Sequence, residues 1–221
     1  MDALNDHEQA QLLRQWWQEN WLPLVLGLVL ALTGVLGWQF WQSYQQGQAE
    51  AASAEYESLR EALGSEPEAL IDQKLARLQS DYARTPYAGL GALAVAQRYV
   101  AANALEKAQP PLSWAADKAT DPGVRQLARL RLARLLWAQN QPEQALKTLS
   151  ADPDVAFNAL FAELRGDILL GQGKRDEARA AYEKALESRK NRATEDGAAT
   201  EKGPDTSSLE RKLADLRADA N

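Results

Sequence analysis

Residues 162–185 read AELRGDILLGQGKRDEARAAYEKA, and the spacing of small residues within this stretch decides the fold. Gly166 is followed after twelve residues by Ala178, then by Tyr182 and Ala185, with the turn Gly171-Gln172-Gly173-Lys174 between them. Small side chains where two helices cross let the backbones approach, and larger apolar ones fill the groove beside the crossing. The stretch therefore predicts two helices packed against each other.

The spacing recurs upstream. Ala133, Ala145 and Leu149 repeat it thirty-three residues earlier, and Ala96, Ala108, Leu112 and Ala115, with Tyr99 in register, form a copy before that. A period of about 34 residues is that of a tetratricopeptide helix pair. One pair cannot bury its face alone, so the copies are expected to stack around a continuous core with capping elements at the ends. From Tyr44 onward the chain is rich in Ala, Leu, Glu, Gln, Lys and Arg and has no β-branched runs, which predicts an all-α, α-solenoid domain. Breaks fall near Gly64 to Pro67, Thr85-Pro86, Ala102 to Ala104, Asp121-Pro122, Asn140 to Pro142, Asp152-Pro153 and Gly171 to Gly173.

The match has departures. Asp152 stands where a small residue is expected. Pro110-Pro111 fall within the second helix of the second pair, and because two prolines remove two amide donors, that helix is expected to begin at them. Ala49 to Tyr82 reads as a further, degenerate pair whose first helix continues out of the segment before it. Between 189 and 206 the chain turns polar, with Gly197, Gly203 and Pro204, and reads as a flexible linker. Ser207 and Glu210 then make a capping-box pattern ahead of Leu209, Leu213 and Leu216, which predicts a capping helix over 207–219.

Upstream of the repeats the pattern changes. The run from Leu22 to Trp38 is broken only by Pro23 and Thr33, and no charged residue occurs between Glu19 and Glu50. At about 1.5 Å per residue, residues 21–41 span roughly 31 Å as a helix, the thickness of a bilayer's hydrocarbon core. Trp16, Trp17 and Trp21 precede the run, and Trp38, Phe40, Trp41 and Tyr44 follow it, supplying interfacial rings at both ends. The apolar core is longer than that of a signal peptide and ends in bulky rings, so it reads as an uncleaved transmembrane helix. Arg14 precedes it and the first basic residue after it is Arg60, which favours the N-terminus inside. Residues 1–20 are then a short cytoplasmic tail, 21–41 the membrane helix and 42–188 the repeat domain. Gly27, Ala31 and Gly34 share one face of that helix at spacings that suit close approach of another helix.

Composition narrows the chemistry. The 221 residues contain no cysteine, which removes disulfides, thiolate metal sites and cysteine nucleophiles. A net charge of -6 argues against a nucleic-acid binder, which needs a basic face for phosphates. The one histidine, His7, lies in the tail, so a Ser-His or Cys-His pairing within the domain is not available. Gly171-Gln172-Gly173-Lys174-Arg175 resembles a phosphate loop superficially, but Ile168 and Arg175 stand where Gly and a hydroxyl residue are required, and an inter-helix turn is the better reading. Glu163 and Asp167 lie one turn apart and would suit a cation or an acid–base pair, but no third ligand is evident. No catalytic, cofactor-binding or metal site is expected.

A repeat stack does offer a concave surface lined by the first helix of each pair. The register places Leu90, Leu93 and Gln97 there, then Leu127, Leu130, Arg134 and Trp137, then Leu160, Glu163, Asp167 and Leu170. Such a surface suits protein segments, with Leu and Trp as anchors and the charged groups setting polarity. The alternative for each leucine is that it belongs to the core.

Several stretches carry a family resemblance. They are Trp16-Trp17-Gln18-Glu19-Asn20, Gly37-Trp38-Gln39-Phe40-Trp41, Tyr87-Ala88-Gly89-Leu90 through Leu105-Glu106-Lys107-Ala108, Leu130-Arg131-Leu132-Ala133-Arg134 with Ala145-Leu146-Lys147-Thr148-Leu149, and Ala162 to Asp167 with Gly171 to Lys174. In these the chain resembles the YfgM-like proteins, ancillary subunits of the bacterial SecYEG translocon. The resemblance implies a single-pass inner-membrane protein, in contact with membrane lipid, with a cytoplasmic N-terminus and a periplasmic tetratricopeptide-like domain. It implies the SecYEG translocon and a PpiD-like periplasmic chaperone as partners, and a non-enzymatic role in handing exported client proteins to periplasmic chaperones. A membrane-anchored regulator of envelope stress signalling, acting through the cytoplasmic tail, stays open as the alternative.

Overall fold

The computed structural model describes residues 3–151, 153–195 and 206–218, all α-helix and connections, with no strand among them. Asp152, the linker residues 196–205 and the side chain of His7 lie outside the described residues. The helices are α1 (Ala3–Ser65), α2 (Glu68–Asp81), α3 (Pro86–Ala101), α4 (Leu105–Lys118), α5 (Pro122–Ala138), α6 (Pro142–Thr148), α7 (Val155–Gly171), α8 (Arg175–Glu195) and α9 (Ser207–Ala218). The expected breaks separate them.

Local chemistry sets most of these boundaries. Pro86, Pro122 and Pro142 each open a helix, where the missing amide costs nothing and the fixed φ is already helical. Asp121 caps α5 by accepting a hydrogen bond of 2.8 Å from the Val124 amide. α3, α5 and α7 end in one and the same turn. Asn103 (φ 57°), Asn140 (φ 58°) and Gly173 (φ 76°) adopt the left-handed conformation, and the next residue's amide reaches back to Tyr99, Leu136 and Leu169 respectively, at 2.8, 2.9 and 3.0 Å. This is a Schellman motif repeated three times, which only Gly and Asn accept readily.

The chain divides into two compact units, Met1–Glu50 and Ala51–Asn221. In the first, the large apolar side chains that are described face outward. Leu22, Leu26, Leu30, Leu36 and Trp38 are each 60% exposed or more, and α1 is long and apolar enough from Val25 onward to cross a membrane. Its Thr33 hydroxyl donates to the Val29 carbonyl at 2.8 Å, so the side-chain donor inside the apolar run is satisfied within the helix.

In the second unit α3 packs on α4, α5 on α6 and α7 on α8, and α3 and α4 stack in turn on α5. One apolar cluster runs from Leu59 of α1 through Ile71 and Leu78 of α2 to Ile168 of α7. The degenerate first pair is thus the end of α1 with α2, tied together by Lys74 to Ser58 at 2.7 Å. The repeat residues are all core: Ala96, Ala133 and Gly166 on the first helices, and Ala108, Ala145, Ala178, Leu112, Leu149 and Tyr182 on the second. Tyr99 donates to Asp72 and Lys107 pairs with Glu68, joining α3 and α4 to α2.

Three local expectations are corrected. α4 does not begin at Pro110-Pro111 but five residues earlier, at Leu105, and holds both prolines inside. Burial of Ala108, Pro111, Leu112, Ala115 and Ala116 on one face outweighs the missing amide bonds. The expected linker start at 189 is helix, because α8 continues to Glu195 and Arg189 is held by Glu163. At α9 the cap moves by one residue: the Thr206 hydroxyl donates to Glu210 Oε1 at 2.9 Å, ahead of a helix that begins at Ser207.

Candidate protein-interaction groove

The first helices α3, α5 and α7 bring one residue per repeat to equivalent places beside the small crossing residues: Gln97 after Ala96, Arg134 after Ala133 and Asp167 after Gly166. Of the expected lining residues, Gln97, Arg134, Trp137 and Leu160 are exposed, and Leu90, Leu127 and Leu170 are half-buried. Leu93 and Leu130 are core, 5% and 2% exposed, and line no surface. A methyl group at Gly171 would lie 3.5 Å from the Trp137 indole, so Trp137 leans on the end of α7.

Glu163 and Asp167 stand apart from the rest because other parts of the chain already engage them. Lys212 of α9 donates to Asp167 Oδ1 at 2.6 Å and to Glu163 Oε1 at 3.0 Å, Arg189 of α8 donates to Glu163 Oε2 at 2.7 Å, and the Tyr182 hydroxyl donates to Asp167 Oδ1 at 2.8 Å. Two carboxylates one turn apart repel each other, and two cations with a phenol offset that repulsion. Burial raises the Tyr182 pKa well above the phenol range, and the bond to Asp167 adds to it. Burial works against the charge of Lys212, but its bonds to Asp167 and Glu163 outweigh that, and its pKa is raised.

Beside this cluster Leu209, Leu213 and Leu216 of α9 pack on Ala178, Ala181, Tyr182 and Ala185 of α8. α9 therefore docks where a further first helix would stack. A sequence signal marks it: Ala162-Glu163-Leu164-Arg165-Gly166-Asp167 recurs as Ala214-Asp215-Leu216-Arg217-Ala218-Asp219. That recurrence identifies α9 as half a repeat, where leucine spacing alone shows only an amphipathic helix. The last first-helix surface is thus occupied within the chain.

The surface left open lies between α3, α4 and α5. A cleft of about 380 Å³ is lined there by Ala96, Gln97, Val100, Leu105, Leu112, Arg131, Arg134, Leu135 and Ala138. Gln97 and Arg134 were expected in it, whereas Val100, Arg131 and Ala138 follow only from how far α3 and α5 stand apart. Among the described residues no group of three or more His, Asp or Glu is placed to hold a metal ion.

Comparison with known proteins agrees with this architecture. Residues 14–217 match the family model described as a tetratricopeptide repeat-like domain. The chain is 30% identical over 185 residues to the ancillary SecYEG translocon subunit of Escherichia coli (strain K12), covering 83% of this chain and 88% of that one. It is 27% identical to the protein of the same name in Haemophilus influenzae, covering 84% and 91%, and 28% identical to that of Neisseria gonorrhoeae, covering 83% and 88%. No solved structure matches it.

Proposed function

The chain belongs to the tetratricopeptide repeat-like family that includes these ancillary SecYEG translocon subunits, and on that premise we propose that it is itself a non-enzymatic translocon-associated scaffold. In this reading α1 anchors it in the bacterial inner membrane with the N-terminus in the cytoplasm and the repeat domain in the periplasm. The groove engages translocon components and emerging client proteins, and passes clients to a PpiD-like chaperone.

One observation carries the reading: the repeat stack leaves an apolar, polar-rimmed surface open on α3 and α5, while its other end is closed by α9. A surface of this kind serves segments of other chains. The test is a photo-crosslinking amino acid at Gln97 or Trp137 of the full chain in native membranes. Capture of translocon subunits, chaperones or exported proteins is expected, and capture of no protein from either position refutes the groove model. Orientation is read separately, since a chain without cysteine accepts single reporters at Gln11 and Glu187. Labelling of position 187, but not of position 11, by a membrane-impermeant maleimide is expected from the periplasmic side.

The membrane helix enters the proposal as a second contact. A Cβ at Gly27 or Gly34 would meet nothing within 4 Å, so the face shared with Ala31 is free to meet another helix. Replacing the three by Leu is expected to reduce copurification of the translocon while the domain stays folded. Unchanged copurification removes this contact from the model.

A further inference from the structure

The open cleft has a chemistry of its own, and we propose that it takes a short protein segment presenting a large apolar side chain next to a carboxylate. The proposal rests on the groove reading and narrows the chemistry of the partner. Its floor is apolar, with Ala96, Leu112 and Leu135 buried beneath it, and Val100 stands 46% exposed at its side. A cleft of about 380 Å³ falls in the range of sites that hold ligand groups by apolar contact plus a few polar ones.

The charged groups that line the cleft, Arg131 and Arg134, are of one sign. α3 and α5 together carry Arg98, Arg125, Arg129, Arg131 and Arg134 and no Asp or Glu, in a chain whose net charge is -6. Arg125 is used internally, donating to the Ala119 and Thr120 carbonyls at 2.7 and 3.0 Å. Arg131 and Arg134, which line the cleft, pair with no carboxylate among the described residues. The acidic residues of α7 are matched by Arg189 and Lys212, so the negative charge there is neutralised, while Arg131 and Arg134 are left for an outside carboxylate.

α9 sets leucines on apolar surface and one charged side chain, Lys212, on Asp167. Arg134 holds in its repeat the place that Asp167 holds in the next, and where Asp167 is met by an ammonium, the opposite sign of Arg134 calls for a carboxylate. An arginine pair favours a carboxylate through forked hydrogen bonds and repels a basic segment, which gives selectivity as well as attraction.

The experiment uses the full chain in lipid nanodiscs and fluorescence anisotropy with three labelled peptides. The first presents Leu-Phe flanked by Glu, the second replaces Glu by Lys, and the third replaces Leu-Phe by Ser. The first is expected to bind about tenfold more tightly than either counterpart, a difference of about 1.4 kcal/mol. The Arg131→Glu/Arg134→Glu variant, with its helicity checked by circular dichroism, is expected to prefer the Lys peptide, and a photo-crosslinker at Val100 is expected to capture the Glu peptide. Equal binding of the acidic and basic peptides, an unchanged preference in the double variant, or capture from Trp137 but not from Val100 overturns the proposal while leaving the groove reading in place. Absence of any protein capture from Val100, Gln97 or Trp137 in membranes overturns both.

Discussion

Replacing Gly166 by alanine is the most direct test of how the last pair is packed. An alanine Cβ there would lie 2.4 Å from Tyr182 Cε1 and 2.6 Å from Cδ1, well inside contact distance. Tyr182 has no accessible surface, and its hydroxyl is held by Asp167, so the ring has little room to retreat. Overpacking of this kind costs about 1–3 kcal/mol, and the rigid setting argues for about 3. The helix propensity of Ala over Gly returns about 1 kcal/mol, leaving a net loss of about 2. For a domain of this size that is a fall in Tm of about 4–8 °C. The equivalent positions explain the choice of residue: Ala96 and Ala133 face Leu112 and Leu149 at the spacing at which Gly166 faces Tyr182. Thermal unfolding of the full chain in nanodiscs, followed by circular dichroism, is therefore expected to show a destabilised Gly166→Ala and partial recovery in Gly166→Ala/Tyr182→Leu. Gly171→Ala, whose Cβ would sit at an ordinary 3.5 Å from Trp137, serves as the control. A Gly166→Ala protein as stable as the parent refutes the crossing geometry.

Other consequences are open to the same measurement. Lys212→Met leaves Glu163 and Asp167 facing each other with one cation fewer, and is expected to cost about 1–3 kcal/mol and to loosen α9 in hydrogen exchange. Lys212 and Tyr182 both hold their protons more tightly folded than unfolded, so their contribution is fully present at neutral pH and is lost as pH rises past about 10; an alkaline transition that Tyr182→Phe/Lys212→Met leaves unmoved contradicts this. Pro110→Ala, at an exposed position inside α4, restores an amide donor and is expected to stabilise the domain by about 1 kcal/mol, whereas Pro111→Ala empties part of a buried site and is not. Asn140→Gly is expected to be neutral or slightly stabilising and Asn140→Val to lose about 1 kcal/mol or more, because φ there is positive.

How much of this was readable in the chain depended on the range of the forces involved. Proline at the first helical position, Asn or Gly in a left-handed turn, and an apolar run as long as a bilayer is thick act within a few residues, so the helix starts at Pro86, Pro122 and Pro142 and the membrane-length segment of α1 follow from sequence alone. The crossing residues from Ala96 to Ala185 did too, because steric fit between two helices repeats with the period of the pair. Other features depend on groups that meet only after folding. α4 runs through Pro110-Pro111 because one buried face outweighs the lost hydrogen bonds, and the local rule had pointed the other way. Glu163 and Asp167 looked like an open groove surface, and it is Lys212, forty-five residues beyond Asp167, that closes them. The pairing of the helices and the membrane-length segment were therefore legible from the chain, while the start of α4, the end of α8, the first-helix surface that α9 covers and the one that keeps its arginines open were settled by folding, since burial and charge pairing at a site are set by whatever the rest of the chain places beside it.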